Sequence, residues 1–211
     1  MVQRKIVMFD FDGVIVDSFE MAFGITQQLR LGLDREQYRD MFMGNIYDSV
    51  EKMDGKNTER NWNATKDEWF GIYAPLLLEL PVIAGVKEAL AALAKQYALV
   101  VVTSSINSPV HAYLELHDLH HHFEEVLGAD VHVSKVKKIQ MVLDKYGARP
   151  EDCVFITDTV GDLLEAQHKG IAALVVTWGF HSLERFAAHP PAGFIERPEQ
   201  MLEKVNGFFA A

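Results

Sequence analysis

The sequence predicts an α/β fold: a doubly wound parallel sheet with a small helical domain inserted after the first strand. Short, almost continuously apolar runs recur along the chain, from Lys5-Ile6-Val7-Met8-Phe9 to Ala172-Ala173-Leu174-Val175-Val176. Such runs mark strands covered on both faces by helices. Segments of helical spacing separate them, and this alternation builds parallel sheets. The stretch from about residue 19 to 80 breaks the rhythm, with helical patterns and no convincing strand.

The first strand ends at Asp10-Phe11-Asp12-Gly13, where Gly13 bends the backbone. Helical patterns then cover 21–31, 35–42 and 66–80, with 43–48 as a loop between them. This region, 18–81, is expected to form a cap hinged near Asp17-Ser18 and again over 81–85; 1–17 and 82–211 form the core domain. In the core, a helix over 86–96 leads to a strand over 98–102, and a helix over 109–116 to a strand over 125–127. A helix over 138–146 precedes a strand over 153–156, and a helix over 162–169 precedes the strand over 172–176. Pro190-Pro191 and Gly193 mark a loop before a short strand at Phe194-Ile195, and a last helix runs from 198 to about 208.

A chain of 211 residues, 49% apolar, holds one large domain or a core with a modest insert. Its net charge of -10 argues against a nucleic-acid partner, which Lys and Arg would have to bind. A small anionic substrate remains compatible, because surface charges beyond about 10 Å are screened. Cys153 is the one cysteine, which excludes an intramolecular disulfide, and its apolar surroundings predict a buried, inert thiol. The apolar run before Asp10 is too short for a secretory signal, and no stretch approaches the roughly 20 residues that span a bilayer. No membrane partner and cytoplasmic residence are therefore expected.

Strand geometry sends Asp10 and Asp12 from the strand end into one cleft. They would repel each other unless a cation, a shared proton or a division of labour relieved them; the plain alternative is an acidic turn. Ligands of doubly wound sheets gather at the carboxyl ends of the strands. Thr103 and Ser104 follow the second strand; Thr157, Asp158, Thr159, Gly161 and Asp162 follow the fourth. Lys135, Lys137 and Lys138 precede the helix between the third and fourth. Carboxylates, a hydroxyl and a lysine thus converge on one edge.

This ordered set, Asp10-Phe11-Asp12-Gly13, Thr103, Lys135 and Asp158-Thr159-Val160-Gly161-Asp162, resembles the four motifs of the haloacid dehalogenase superfamily of phosphohydrolases. The resemblance spans nearly the whole chain and implies a Rossmann-like core with a helical cap. It implies that Asp10 is a nucleophile forming an aspartyl-phosphate, and that Asp12 is the general acid and base. It also implies Mg2+, held by the Asp10 carboxylate, the Asp12 main-chain carbonyl and Asp158, with Asp162 supporting. Thr103 and Lys135 would bind the phosphate. Ser104 is an alternative to Thr103, and Lys137 to Lys135, because Lys135-Val136-Lys137-Lys138 lacks the prolines frequent in the family.

Asp12 argues against dehalogenation, whose enzymes lack that second acid. The expected substrate is a small phosphorylated metabolite, phosphoglycolate-like or a sugar phosphate, with Asn45 and Tyr47 of the cap in contact with it. A phosphosugar mutase and a non-catalytic phospho-ligand scaffold are the alternatives, and a monomer or homodimer is expected. His117 and His120-His121-His122 read as a solvated helix end, and Met41 and Met43 as cap packing. Trp178 and Phe180 either pack beside the site or touch substrate.

Overall fold

The computed structural model describes residues 4–29, 32–54 and 62–210. Its sheet contains β1 (Ile6–Phe9), β2 (Ala98–Val102), β3 (Glu125–Leu127), β4 (Cys153–Thr157), β5 (Ala172–Val176) and β6 (Gly193–Ile195), in the order β3-β2-β1-β4-β5-β6. All neighbouring pairs are parallel. The chain runs outward from β1 to β3, then crosses back to place β4 beside β1. Adjacent strands that diverge in this way open a crevice at their carboxyl ends. Phe9 pairs with Ile156, so Asp10 leaves the sheet level with Thr157, one residue before Asp158.

The strands are apolar on both sides because both sides are covered. Val7, Phe9, Val101 and Ile156 face one layer, with Leu90 and Leu93 of α5 (Val86–Ala94), Tyr113 of α6 (Asn107–Leu116) and Val205 of α9 (Met201–Ala210). Met8, Val100 and Phe155 face the other, with Ile139 and Val142 of α7 (Lys135–Tyr146) and Ala166 of α8 (Val160–His168). Each such side chain contributes about 1.5–3 kcal/mol by leaving water. Cys153 is buried as expected, and burial pushes its thiol up to about 12.

Between β1 and α5 lie α1 (Phe19–Leu29), α2 (Arg35–Asp40), α3 (Ile46–Asp54) and α4 (Trp62–Leu77). Asp34 and Gln37 form a capping box that starts α2. Phe19, Phe23, Tyr38, Met41 and Val50 form this insert's own apolar cluster, and Phe180 from the core joins it. Met41 packs there as expected, whereas Met43 is exposed. The insert's two connections meet in an antiparallel bridge between Val16 and Val82.

Several boundaries shift by two to four residues from the sequence reading, and two of the differences bear on the site. Residues 46–48, read as loop, begin α3, because the Asn45 side chain accepts the Tyr47 N–H at 3.0 Å and caps the helix. Helix α7 begins at Lys135 rather than 138. Its charged start hides the period, yet Lys135 and Lys138 share one buried face. Arg30 and Leu31, the end of the first helix predicted in the insert, lie outside the described residues. Among the described residues, no helix is long and apolar enough to cross a membrane.

Candidate active site

The crevice between β1 and β4 gathers side chains from four elements. Asp10 follows β1, Asp158 follows β4, and the first turns of α8 and α7 supply Asp162 and Lys135. The ammonium of Lys135 lies 2.8 Å from Asp10 Oδ2 and 2.6 Å from Asp162 Oδ2. Lys135 is only 1% exposed, whereas Lys137 is exposed, so Lys135 is the one of the two that the fold brings to this cluster. Glu165 fixes the helix start by accepting the Lys135 N–H at 2.9 Å. Thr157 Oγ1 donates to Asp162 Oδ2 at 2.9 Å, and Phe11 N–H donates to Asp10 Oδ1 at 2.7 Å.

Asp158 is tightly boxed. Its Oδ2 accepts the Phe180 N–H at 2.7 Å, while its buried Oδ1 has no hydrogen-bond partner among the described residues. A side chain at Gly13, whose φ is +75°, or at Gly179 would overlap Asp158. The carboxylate therefore has one place to sit. One oxygen each of Asp10, Asp158 and Asp162 lies within 4.8 Å of the others, the only such potential metal-holding group among the described residues.

Electrostatics disfavour full ionisation of this cluster with Lys135 as its one cation. Burial drives the Asp10 carboxyl well above its usual range; Lys135 opposes this, and Asp162 and Asp158 reinforce it. Burial likewise raises Asp158 to about 7. Burial acts upward on Asp162 too, but the Lys135 charge and hydrogen bonds outweigh it and hold the group low. A set of hard oxygen donors with one orphaned buried acceptor suits Mg2+, which would replace the protons on Asp10 and Asp158. The residues present fit the ion.

Asp12 turns away from that cluster. Its Oδ1 accepts the hydroxyls of Ser18 at 2.6 Å and Tyr73 at 2.8 Å, and its Oδ2 accepts that of Ser105 at 2.7 Å. The two carboxylates of the first motif thus have different surroundings, one ionic and one hydroxylic. Sequence reasoning missed these three partners. Ser18 and Ser105 stand within or beside recognised motifs, but Tyr73 carried no signal, being one more aromatic residue of an apolar helix.

Thr103 and Ser104 both line the pocket above the cluster. Thr103 Oγ1 accepts the Ser105 N–H at 3.0 Å and keeps its own proton to donate, while its carbonyl accepts the buried Lys138 ammonium at 2.5 Å. Tyr47 lines the pocket and donates its hydroxyl to the Ser104 carbonyl at 2.7 Å. Asn45, expected beside the substrate, is not among the residues that line it. Its amide donates to the Val133 carbonyl and to Glu165 at 3.3 and 3.2 Å, as its carbonyl caps α3.

Phe180 lines the pocket and packs edge-on against Phe19 and Phe42, with centroids 5.0 and 5.2 Å apart. Trp178 instead packs on the core and donates to the Val14 carbonyl at 3.4 Å. His120–His122 form a surface turn, apart from the acidic cluster.

A family model described as haloacid dehalogenase-like hydrolase matches residues 7–176. A probable phosphatase, IndB, of Dickeya dadantii is 31% identical over 208 residues, covering 92% of this chain and 90% of the relative. A 5'-nucleotidase of Pseudomonas aeruginosa is 28% identical over 200 residues, covering 89% of each. The crystal structure of a predicted phosphatase from Clostridium acetobutylicum shares the fold, with a TM-score of 0.81 at 21% identity, covering 97% of this chain and 99% of that one.

Proposed function

The chain belongs to the haloacid dehalogenase-like hydrolase family, as a phosphatase, and from that premise we propose Mg2+-dependent hydrolysis of small phosphate monoesters through a phosphorylated Asp10. The observation that carries this reading is the Lys135 bridge between Asp10 and Asp162 beside the orphaned oxygen of Asp158. The relatives named as a phosphatase and a 5'-nucleotidase support the reaction class.

In this reading Asp10 attacks phosphorus while the ester oxygen departs with a proton from Asp12. Asp12 then takes a proton from water, the water oxygen bonds to phosphorus as the bond from phosphorus to the Asp10 oxygen breaks, and inorganic phosphate departs from the regenerated Asp10 carboxylate. Ser18, Tyr73 and Ser105 hold Asp12 in a single orientation through both steps. Lys135 and the Thr103 hydroxyl donate to the phosphoryl oxygens where charge develops. The Asp10 and Asp158 carboxylates and the Asp12 main-chain carbonyl would hold Mg2+, with Asp162 anchoring Lys135. When bound, the ion would neutralise charge on the phosphoryl oxygens and keep Asp10 and Asp158 ionised.

Segment 18–81 is assigned as a cap that closes over this chemistry and excludes water. Its support is the pair of hydrogen bonds from Tyr47 to Ser104 and from Tyr73 to Asp12, which link the insert to the strand ends. In this reading the hinges are 17–18, directly after Val16, and 81–85, which includes its bridge partner Val82.

The test is phosphate release from simple alkyl phosphates with and without Mg2+. Release that requires Mg2+ and vanishes in Asp10→Asn is expected. A folded wild-type protein that releases no phosphate under these conditions contradicts the reading.

A further inference from the structure

The wall of the pocket opposite the acidic cluster comes from the insert and is made of rings and alkyl groups. Phe42, Ile46, Tyr47, Val50, Trp69 and Phe70 face the crevice. Trp69 stacks on Tyr73 at 4.9 Å with the planes 19° apart, and meets Phe70 edge-on at 5.1 Å. Among the described lining residues the one cation is Lys135, already paired with Asp10 and Asp162.

Several polar tips of this wall point into the protein. The Trp69 indole donates to Thr26 Oγ1 at 3.3 Å, and Thr26 in turn donates to the Ala22 carbonyl at 2.9 Å. The Tyr47 hydroxyl is bonded to Ser104, and that of Tyr73 to Asp12. What the wall offers a ligand is therefore ring faces and methyl groups.

We propose that the leaving alcohol of the substrate is neutral and presents a planar or apolar face to this wall, and that the site selects against a second anionic group. This rests on the phosphatase reading above and narrows it. A phosphoryl group engaged by Lys135 and Thr103 places the ester's organic half against Trp69, Phe70 and Ile46. Aromatic faces carry negative charge density, so they favour an apolar group and repel a carboxylate or a further phosphate. A polyol exchanges its hydration for rings that return few hydrogen bonds. Phosphoglycolate, bisphosphates and sugar phosphates are thereby disfavoured relative to esters of an aromatic or apolar alcohol.

The experiment compares kcat/KM at saturating Mg2+ for benzyl phosphate, 4-carboxybenzyl phosphate, phosphoglycolate and glucose 6-phosphate, all esters of primary alkyl alcohols. Benzyl phosphate is expected to lead each of the others by about tenfold or more. Equal or faster hydrolysis of phosphoglycolate, the sugar phosphate or the carboxylated ester overturns the proposal and leaves the phosphatase reading standing. Failure to hydrolyse any of the four removes that reading and the proposal with it. A binding measurement separates recognition from turnover: Asp10→Asn with Mg2+ is expected to bind benzyl phosphate more tightly than its carboxylated analogue in calorimetry. Equal affinities overturn the proposal. Ile46→Lys, at a half-buried position, is expected to narrow the ratio of benzyl to carboxybenzyl turnover about tenfold; an unchanged ratio in the folded variant overturns the assignment of selection to this wall.

Discussion

The Tyr73 hydroxyl donates to Oδ1 of Asp12 at 2.8 Å, joining α4 of the insert to the second carboxylate of the first motif. The Ser105 hydroxyl lies 2.7 Å from the other oxygen of the same carboxylate and 3.1 Å from the Tyr73 hydroxyl, closing a small network. Burial, reinforced by the Asp12 charge, holds the Tyr73 proton well above the ordinary tyrosine range, so this group stays a donor. The orientation of the proposed acid thus depends on a residue that the insert contributes.

Tyr73→Phe isolates that dependence, because the ring and its stacking on Trp69 survive. A hydrogen bond to a charged group contributes about 1.5–3 kcal/mol. We expect kcat to fall about 10- to 100-fold, with the Mg2+ concentration for half-activation unchanged. Steady-state kinetics across a Mg2+ titration check this; an unchanged kcat would assign Tyr73 to packing alone.

Lys135→Met tests the bridge between Asp10 and Asp162. Removing one partner of a buried ionic set costs about 3–5 kcal/mol, because the remaining charges lose their compensation. The metal-free variant should melt well below wild type. Mg2+ should raise its Tm by more than it raises that of wild type, since the ion then meets carboxylates with no competing ammonium. Equal Mg2+-induced shifts in the two proteins would contradict this balance.

How much of this was legible in the sequence follows from distance along the chain. Asp10 and Asp12 announce themselves because strand, carboxylates and Gly13 are contiguous. The strands follow from the apolar runs, whereas their order in the sheet needs the folded chain; Asp158 follows β4 directly and Asp162 falls in the first turn of α8. Lys135 could be told from Lys137 only by the true start of α7, which a run of charged residues conceals. Helix α3 did carry a signal in Asn45, a favoured N-cap residue, but the Gly44-Asn45 pair reads equally as a turn. Tyr73 and Ser105 lie 61 and 93 residues from Asp12, so only the folded chain brings them to it.

Gly179→Ala should act on the metal site without replacing a ligand. An added methyl would collide with Asp158, whose position is also fixed by the Phe180 N–H. Displacing a group that orients a metal ligand typically weakens affinity 10- to 100-fold. The half-activating Mg2+ concentration should rise by about that factor, with near-wild-type kcat at saturation. Calorimetric Mg2+ titration of the variant provides the check, and unaltered affinity would show that Asp158 does not ligate the ion.

Lys138 makes the pH dependence of stability measurable. Its ammonium is buried and donates to the Thr103 carbonyl. Burial, then repulsion from Lys135, lowers its pKa to about 7 against the pull of Asp10, Asp162 and Glu165. The unfolded chain keeps this proton up to the ordinary lysine value near 10.5. Between these limits the unfolded state binds more protons, so this lysine makes stability rise with pH, by up to about 1.4 kcal/mol per unit. The penalty is complete below the folded value and gone above the unfolded one. Lys138→Met removes the penalty but strands the Thr103 carbonyl, which costs about 1–3 kcal/mol. Urea unfolding of metal-free protein should therefore find the variant at least as stable as wild type at about pH 6, with wild type gaining on it as the pH rises from about 7 towards 10. A difference between the two proteins that is independent of pH would show that Lys138 keeps its proton in the fold.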